Sequence, residues 1–264
     1  MNKVIRAEFG RTINAGLIIA IAGIIFSICF DSFNDLIAGL RNGQGYVGYF
    51  FSNAAFGGMC TKYMLPVFTA LPFSVSLCQE RNNKAVSYIV SREGKNRYIF
   101  AKFIVSAISG GFVAVCGTVL LFLMLAMRFP IAGDEFEGAV VSDYFHEWSA
   151  VYYPQLYILT LSILAFCRSV IWSSLALCVS LYTSDFMVVL LSPFLGSYVL
   201  VRIFQIIRVP DMVRPDMILI GQVVIKSSGV TLIIAIAISL TIVTLIGAFF
   251  VGKMREGLKS GTIY

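Results

Sequence analysis

Long apolar runs alternate with short polar stretches along this chain of 264 residues. A transmembrane helix needs about 20 predominantly apolar residues, and six runs approach or exceed that length. They cover approximately residues 13–30, 59–78, 99–127, 155–182, 186–207 and 227–251. The pattern therefore predicts an all-α polytopic membrane protein with six transmembrane helices, which form a single transmembrane domain over residues 1–264.

The composition agrees with this fold class. Hydrophobic residues make up 58% of the chain and charged residues 13%, whereas soluble domains contain about 25% charged residues. A water-soluble fold cannot bury so much apolar surface, so lipid must be the solvent for most of the chain. The first apolar run is long enough to span and no small-residue cleavage pattern closes it, so we expect an uncleaved signal anchor.

The polar segments between the runs fall into two sets that differ in charge. One set comprises residues 1–12, 79–102 and 252–264, and the other comprises residues 31–58, 129–154 and 208–226. The first set holds 12 Lys and Arg residues against four acids, and the second holds four against nine. Positively charged loops remain on the cytoplasmic side. Both termini are therefore predicted to be cytoplasmic, and the net charge of +6 reflects topology rather than nucleic-acid binding.

Two local patterns refine the helical prediction. Residues 1–12 interleave apolar and basic positions, which favours a short helix along the inner membrane interface, although an ordinary charged flank fits as well. Proline inside the second run (Pro66 and Pro72) and the fifth run (Pro193) predicts kinks, because proline removes a helical hydrogen bond.

The third run carries small residues at four-residue spacing, namely Ser106, Gly110 and Ala114. Such spacing lets two helix backbones approach closely. It is equally consistent with packing inside the chain and with a dimer face.

No catalytic or metal-binding pattern is visible. The single histidine, His146, lies in a predicted outer loop, and the six cysteines form no CxxC pair. The tail GKMREGLKS (residues 252–260) differs from a phosphate-binding loop, GxxxxGK[ST], by one extra residue before its last lysine. We therefore expect no catalytic residue, no metal site and no cofactor bound by this chain.

Arg168 lies near the middle of the fourth run. An arginine at that depth costs about 2.5–3.5 kcal/mol on insertion scales. It is expected either to line a polar pathway or contact a second subunit, or to cap carbonyls at a helix break. A misplaced boundary of the run would also explain it.

The polar segment QERNNKAVSYIVSREGKNRY (residues 79–98) is longer than the two to five residues or so that a helical hairpin needs. It predicts a short amphipathic helix over residues 82–91, with Ala85, Val86 and Ile89 on its apolar face and Gly94 ending it. That face either fills a groove in a cytoplasmic partner or lies on anionic lipid.

Several short motifs lie at the predicted cytoplasmic side, namely the pair Glu8-Phe9, Glu80 at the start of the loop after the second run, and then Ser91-Arg92, Arg97-Tyr98 and Ala101-Lys102. Together with the six predicted spans, they resemble the permease subunit of ABC-2-type ATP-binding cassette transporters. The resemblance, which extends over nearly the whole chain, implies the type V exporter-like permease fold. It departs from the family at residues 208–226, which are short where many members have a re-entrant hairpin.

The resemblance implies that residues 80–97 form the coupling helix that docks on the ATPase. The docking residues would be Glu80, Arg81, Lys84, Val86, Ile89, Arg92 and Arg97. ATP and Mg would bind to a separate cytoplasmic ATPase chain, and a second permease chain would complete a homodimer or heterodimer in the lipid bilayer of a bacterial cytoplasmic membrane. The expected cargo is an antimicrobial peptide, a drug or another amphipathic molecule. The alternative is a self-sufficient channel or secondary transporter without an ATPase.

Overall fold

The computed structural model describes residues 2–12, 15–42, 47, 50, 58–131 and 154–260. The regular secondary structure in these ranges is helical. The helices are α1 (Asn2–Thr12), α2 (Ala15–Asp31), α3 (Phe33–Asn42), α4 (Met59–Ala70), α5 (Ser76–Asn82), α6 (Val86–Glu93), α7 (Lys95–Ala126), α8 (Pro154–Val179), α9 (Phe186–Ile207), α10 (Pro215–Ile220) and α11 (Ser228–Ser260), with a 3-10 turn at Asp211–Val213.

Among the described residues, four helices are long and apolar enough to cross a membrane, namely α7, α8 from Gln155, α9 and α11. A fifth span results if Ile5–Thr12 and α2, which meet at an angle of 59°, are counted together. The chain is therefore a helical polytopic membrane protein, and its described residues contain four or five candidate spans, whereas the sequence predicts six in the whole chain.

The second predicted span, residues 59–78, differs from the expectation because it is broken. Helix α4 contains Pro66 and ends at Ala70, residues 71–75 form turns, and α5 begins at Ser76. Pro72 cannot donate a backbone hydrogen bond, which favours the break. Ser74 in the turn donates to the carbonyl of Ser173 at 2.9 Å, so a neighbouring helix supplies part of the lost bonding.

The most extensive helix contact is between α7 and α8. A Cβ atom at Gly110 would lie 2.5 Å from the Ser173 side chain, and one at Gly111 would lie 2.5 Å from the Phe166 ring. The small residues of α7 therefore allow it to approach α8 of the same chain. This confirms the interpretation of intrachain packing for the small-residue face.

Part of the segment between α9 and α11, predicted as an outer loop at residues 208–226, packs into the protein, whereas Asp211, Met212 and Val213 are exposed. Ile218, Leu219 and Ile220 of α10 are buried, and Leu219 belongs to the main hydrophobic core. Gly221, with a φ of +87°, ends α10 in the left-handed region that glycine adopts without strain. Residues 222–227 then lead to α11, which begins at Ser228.

The amphipathic helix of the 79–98 segment is confirmed, but its predicted start at residue 82 is wrong. Helix α6 begins at Val86, because residues 83–85 form a turn that contains Lys84 at a φ of +53°. Gly94 ends the helix as predicted, at a φ of +85°. Helices α5 and α6 therefore form two short pieces at the end of the bundle that the charge distribution predicts to be cytoplasmic.

Candidate functional site

A buried ion cluster connects three helices at the predicted cytoplasmic end. The ammonium of Lys102, which is fully buried in α7, lies 2.7 Å from a carboxylate oxygen of Glu80 in α5. It also lies 3.0 Å from a carboxylate oxygen of Glu8 in α1. Buried charges are costly unless opposite charges and hydrogen bonds compensate them, so these three residues depend on each other.

Further groups complete the cluster. Arg11 donates to Glu80 at 2.6 Å and to Glu8 at 3.2 Å, and the hydroxyl of Tyr98 donates to the second oxygen of Glu80 at 2.5 Å. Lys102 also donates to the hydroxyl of Ser76 at 3.2 Å. Two carboxylates thus face two cations, and the cluster is formally neutral and extensively hydrogen-bonded.

The local sequence explains how α1 reaches this cluster. Glu8 and Thr12 are buried, and their four-residue spacing places them on one face of α1, which packs against α7. Arg11 lies three residues after Glu8 and is half exposed, so its guanidinium closes the cluster from the solvent side. The interfacial helix expected from residues 1–12 is therefore attached to the bundle through its charged face.

Three of the predicted docking residues have their side chains engaged inside the chain. Glu80 belongs to the ion cluster, and Val86 is fully buried. Arg81 donates to the backbone carbonyls of Ser180 and Leu181 at 2.9 and 3.2 Å, at the end of α8. These three side chains therefore stabilise the position of the segment within the chain.

The apolar face of α6, predicted as Ala85, Val86 and Ile89, was expected to contact a partner or lipid, but Val86 is buried within the chain, as is its neighbour Val90. Both side chains pack in a hydrophobic cluster of the chain's own residues. The other members of that cluster include Leu77, Tyr98, Leu181, Met254 and Leu258. The chain's own helices therefore cover this face, because α5, α7, α8 and the end of α11 meet there.

The exposed face of α6 and its flanks is polar and basic. Lys84, Arg92 and Arg97 are exposed and Ile89 is half-buried. Tyr88 is 79% exposed and was missing from the predicted docking residues. Helical periodicity could have identified it, because residue 88 lies opposite residues 86 and 90 on a helical wheel.

Arg168 in α8 is 8% exposed and lies inside the bundle. One guanidinium nitrogen donates to the backbone carbonyl of Thr61 at 3.3 Å, whereas Nε has no hydrogen-bond partner among the described residues. Thr61 is in the first turn of α4, where the Asp31 carboxylate accepts the backbone N–H groups of Cys60 and Thr61 at 3.0 and 2.6 Å. Arg168 thus bonds a carbonyl, as one hypothesis predicts, and keeps unused donor capacity.

Arg168 also borders two cavities, of about 50 Å³ and about 190 Å³. The larger cavity is mainly apolar and is also lined by Lys62 and Asp216. Asp216 is bound by Arg214 through two contacts of 2.8 and 3.2 Å. This hydrogen bonding raises the pKa of the Arg214 guanidinium above its ordinary value.

The described residues contain no group of three or more His, Cys, Asp or Glu side chains arranged to hold a metal ion. His146 lies outside the described residues. The tail at residues 252–260 continues helix α11 without a loop, so it lacks the backbone cradle of a phosphate-binding loop.

Sequence reasoning on single residues did not identify the partners in the ion cluster. Glu8 and Lys102 are 94 residues apart in the chain, and only the resemblance grouped them with Glu80. No protein-family model, no curated protein and no solved structure matches this chain. Its function must therefore be inferred from the geometry of the ion cluster, the exposed face of α6 and the cavity beside Arg168.

Proposed function

We propose that this chain is the permease subunit of an ATP-binding cassette transporter. It would have the six-span ABC-2 (type V exporter-like) fold and lie in a bacterial cytoplasmic membrane. Two permease chains would form the translocation pathway, and separate cytoplasmic ATPase chains would bind ATP and Mg.

The observation that supports this proposal most directly is the Glu8–Glu80–Lys102 cluster. It connects the interfacial helix α1, the segment that carries α6, and the long helix α7. Helix α7 has 32 residues and is about 48 Å long at 1.5 Å per residue. A force applied to α6 would therefore be transmitted through buried ion pairs to a helix that crosses the whole membrane, as an ATP-driven transporter requires.

The proposed contact surface for the ATPase is the exposed face of α6 and its flanks, defined by Lys84, Tyr88, Arg92 and Arg97. An exposed aromatic ring surrounded by cations suits a groove with an apolar floor and acidic rim. The contact surface differs from the one that the apolar pattern suggested, because Val86 and Val90 face the bundle.

The test is a pull-down of the tagged chain from native membranes in mild detergent, with mass spectrometry of the proteins that copurify. We expect an ATPase in stoichiometric amount with the unaltered chain, and a loss of about tenfold or more with Arg92→Glu/Arg97→Glu, because reversed rim charges repel the partner. The matched control is Arg255→Glu/Lys259→Glu, which makes the same charge change on exposed positions of α11. It should retain the ATPase.

Two results would contradict the proposal. If the Arg92→Glu/Arg97→Glu chain still retains the ATPase, the exposed face of α6 is not the contact surface. A chain that purifies alone and still transports or conducts in liposomes would favour the channel or secondary transporter instead.

A further inference from the structure

The cavity of about 190 Å³ lies between α4, α8, α9, α10 and α11. Its walls are formed mostly by large apolar side chains from four of these helices. They include Trp172, Leu175, Leu200, Ile220, Ile242 and Ile246. Cavities lined by apolar groups with a few convergent polar groups are typical of small-molecule sites.

The polar groups of the cavity carry an excess of positive charge. Lys62 and Arg168 both line it, and Lys62 is half-buried. Neither forms an ion pair with an acid among the described residues, and Arg168 Nε has no hydrogen-bond partner there although the side chain is 8% exposed. A buried charged donor without a partner is unfavourable, so the site favours an incoming acceptor.

Asp216 compensates these two cations only in part, although its negative charge acts on Lys62. It lines the same cavity, but both of its carboxylate oxygens are held by Arg214, at 2.8 and 3.2 Å. Arg214 is itself buried and also contacts Asp211 at 3.2 Å. Two cations and one carboxylate therefore line the cavity, and Arg214 shares that carboxylate, so the lining keeps a net positive charge.

We propose that this cavity binds an anionic amphiphile. Its carboxylate or phosphate group lies between Lys62 and Arg168 and accepts their hydrogen bonds, and its apolar chain extends along Trp172 and Leu175 of α8 toward Ile246 of α11. The excess positive charge disfavours cationic ligands, and a small inorganic anion leaves the apolar walls without a contact. The site belongs to this chain alone, whereas the step that makes its ligand a transported substrate rests on the proposed function.

Trp172 provides a direct probe, because it lines the cavity and the chain has two tryptophans, Trp148 and Trp172. A Trp148→Phe chain would be reconstituted in nanodiscs of zwitterionic lipid and titrated with terminally brominated dodecanoate or dodecyl phosphate. Bromine quenches tryptophan fluorescence on contact. We expect saturable quenching by the anionic probes and none by a brominated dodecyltrimethylammonium at the same concentration.

Competition distinguishes the source of the anion. Unlabelled dodecanoate or dodecyl phosphate should displace the probe, whereas inorganic phosphate at the same concentration should not. If inorganic phosphate displaces the probe, the cavity is a simple anion site, and the proposal that it binds an amphiphile is wrong. Equal quenching by the cationic probe would overturn the charge selectivity and with it the proposal.

Substitutions identify the residues that bind the head group. Arg168→Gln and Lys62→Gln, made in the Trp148→Phe chain, should each weaken the apparent Kd about tenfold or more, because each removes a charge-assisted hydrogen bond. Arg202→Gln is the matched control, since Arg202 is exposed on α9 and contacts Tyr198 and Gln205 instead of the cavity. If Arg168→Gln fails to fold, unchanged binding by Lys62→Gln still overturns the site.

The measurement needs no ATPase, so it is independent of the pull-down. Selective quenching with no copurifying ATPase would support the anionic-amphiphile site and contradict the proposed transporter function. A copurifying ATPase with no selective quenching would support the proposed transporter function and contradict the anionic-amphiphile site.

Discussion

Lys102 has no exposed surface, although its position near the start of the third apolar run suggested a lysine at the water interface. Its ammonium contacts Glu8, Glu80 and Ser76, and it lies 4.7 Å from the centre of the Phe73 ring. Three chain segments besides α7 thus contribute to the environment of one charge. The stability of the predicted cytoplasmic end therefore depends on each buried charge having partners of opposite charge and hydrogen bonds.

Removal of the central cation should therefore be costly. Lys102→Met leaves Glu8 and Glu80 close together with less compensation, and we expect a loss of about 3–5 kcal/mol in the free energy of unfolding. The measurement is the midpoint of thermal unfolding in detergent, followed by fluorescence-detected size-exclusion chromatography.

The matched control for that substitution is Lys253→Met. Lys253 contacts Glu256 at 2.8 Å on an exposed surface of α11, where an ion pair contributes little. Its midpoint should remain unchanged. Adding Glu80→Gln to Lys102→Met should recover part of the loss, because it removes one uncompensated charge. Equal midpoints for Lys102→Met and Lys253→Met would contradict the structural role of the cluster.

At the scale of elements, the close contact of α7 with α8 depends on the absence of side chains. Gly110 faces Ser173, and a Cβ atom there would also lie 3.0 Å from the carbonyl oxygen of Thr69 in α4. Three helices therefore meet where glycine interrupts the side-chain surface. Backbone atoms cannot move aside as flexible side chains can, so this contact tolerates little added volume.

Gly110→Ala should separate these helices. We expect a loss of about 1–3 kcal/mol through overpacking, measured as the same thermal midpoint. Gly252→Ala in α11 is the matched control, because a Cβ atom there meets nothing within 4 Å and alanine favours a helix. A midpoint for Gly110→Ala at or above that of Gly252→Ala would contradict the packing.

Residues 59–93 form three helices, α4, α5 and α6, where the sequence predicts one span and one short amphipathic helix. Pro72 and the turn at residues 71–75 separate α4 from α5, and the turn at residues 83–85 separates α5 from α6. The break allows α5 to bring Glu80 to Lys102, while Arg81 reaches the end of α8. The short helices are therefore held by specific polar contacts as well as by apolar packing.

At the scale of the whole molecule, the distribution of Lys and Arg predicts the orientation of the bundle. Ser91 in α6 and Met212 in the segment between α9 and α11 are both exposed. The charge rule places Ser91 in the cytoplasm and Met212 on the outer side.

Cysteine labelling tests this orientation. In intact cells, a membrane-impermeant maleimide should label Met212→Cys and should label Ser91→Cys only after the membrane is opened. The unaltered chain, with its six cysteines, supplies the background. Labelling of Ser91→Cys in intact cells would reverse the predicted topology.

The amino-acid sequence by itself determined the properties that depend on short stretches of chain. Apolar runs predicted a helical membrane protein because a span is a local property of about 20 residues. In the same way, Pro66 and Pro72 predicted an irregular second span, and Gly94 predicted the end of α6. The tertiary structure decided which distant residues each side chain contacts and whether it is buried.

Tertiary contacts alone brought Glu8 to Lys102 and Arg168 to Thr61, across 94 and 107 positions in the chain. They also buried Val86 of α6 within the chain, and they packed α10 beside the Arg168 cavity. The physical reason is that periodicity shows which face of a helix is apolar, whereas the helix that covers this face is set by the packing of distant segments. Lys102 is therefore buried and compensated, and Arg168 is buried with a donor still free among the described residues.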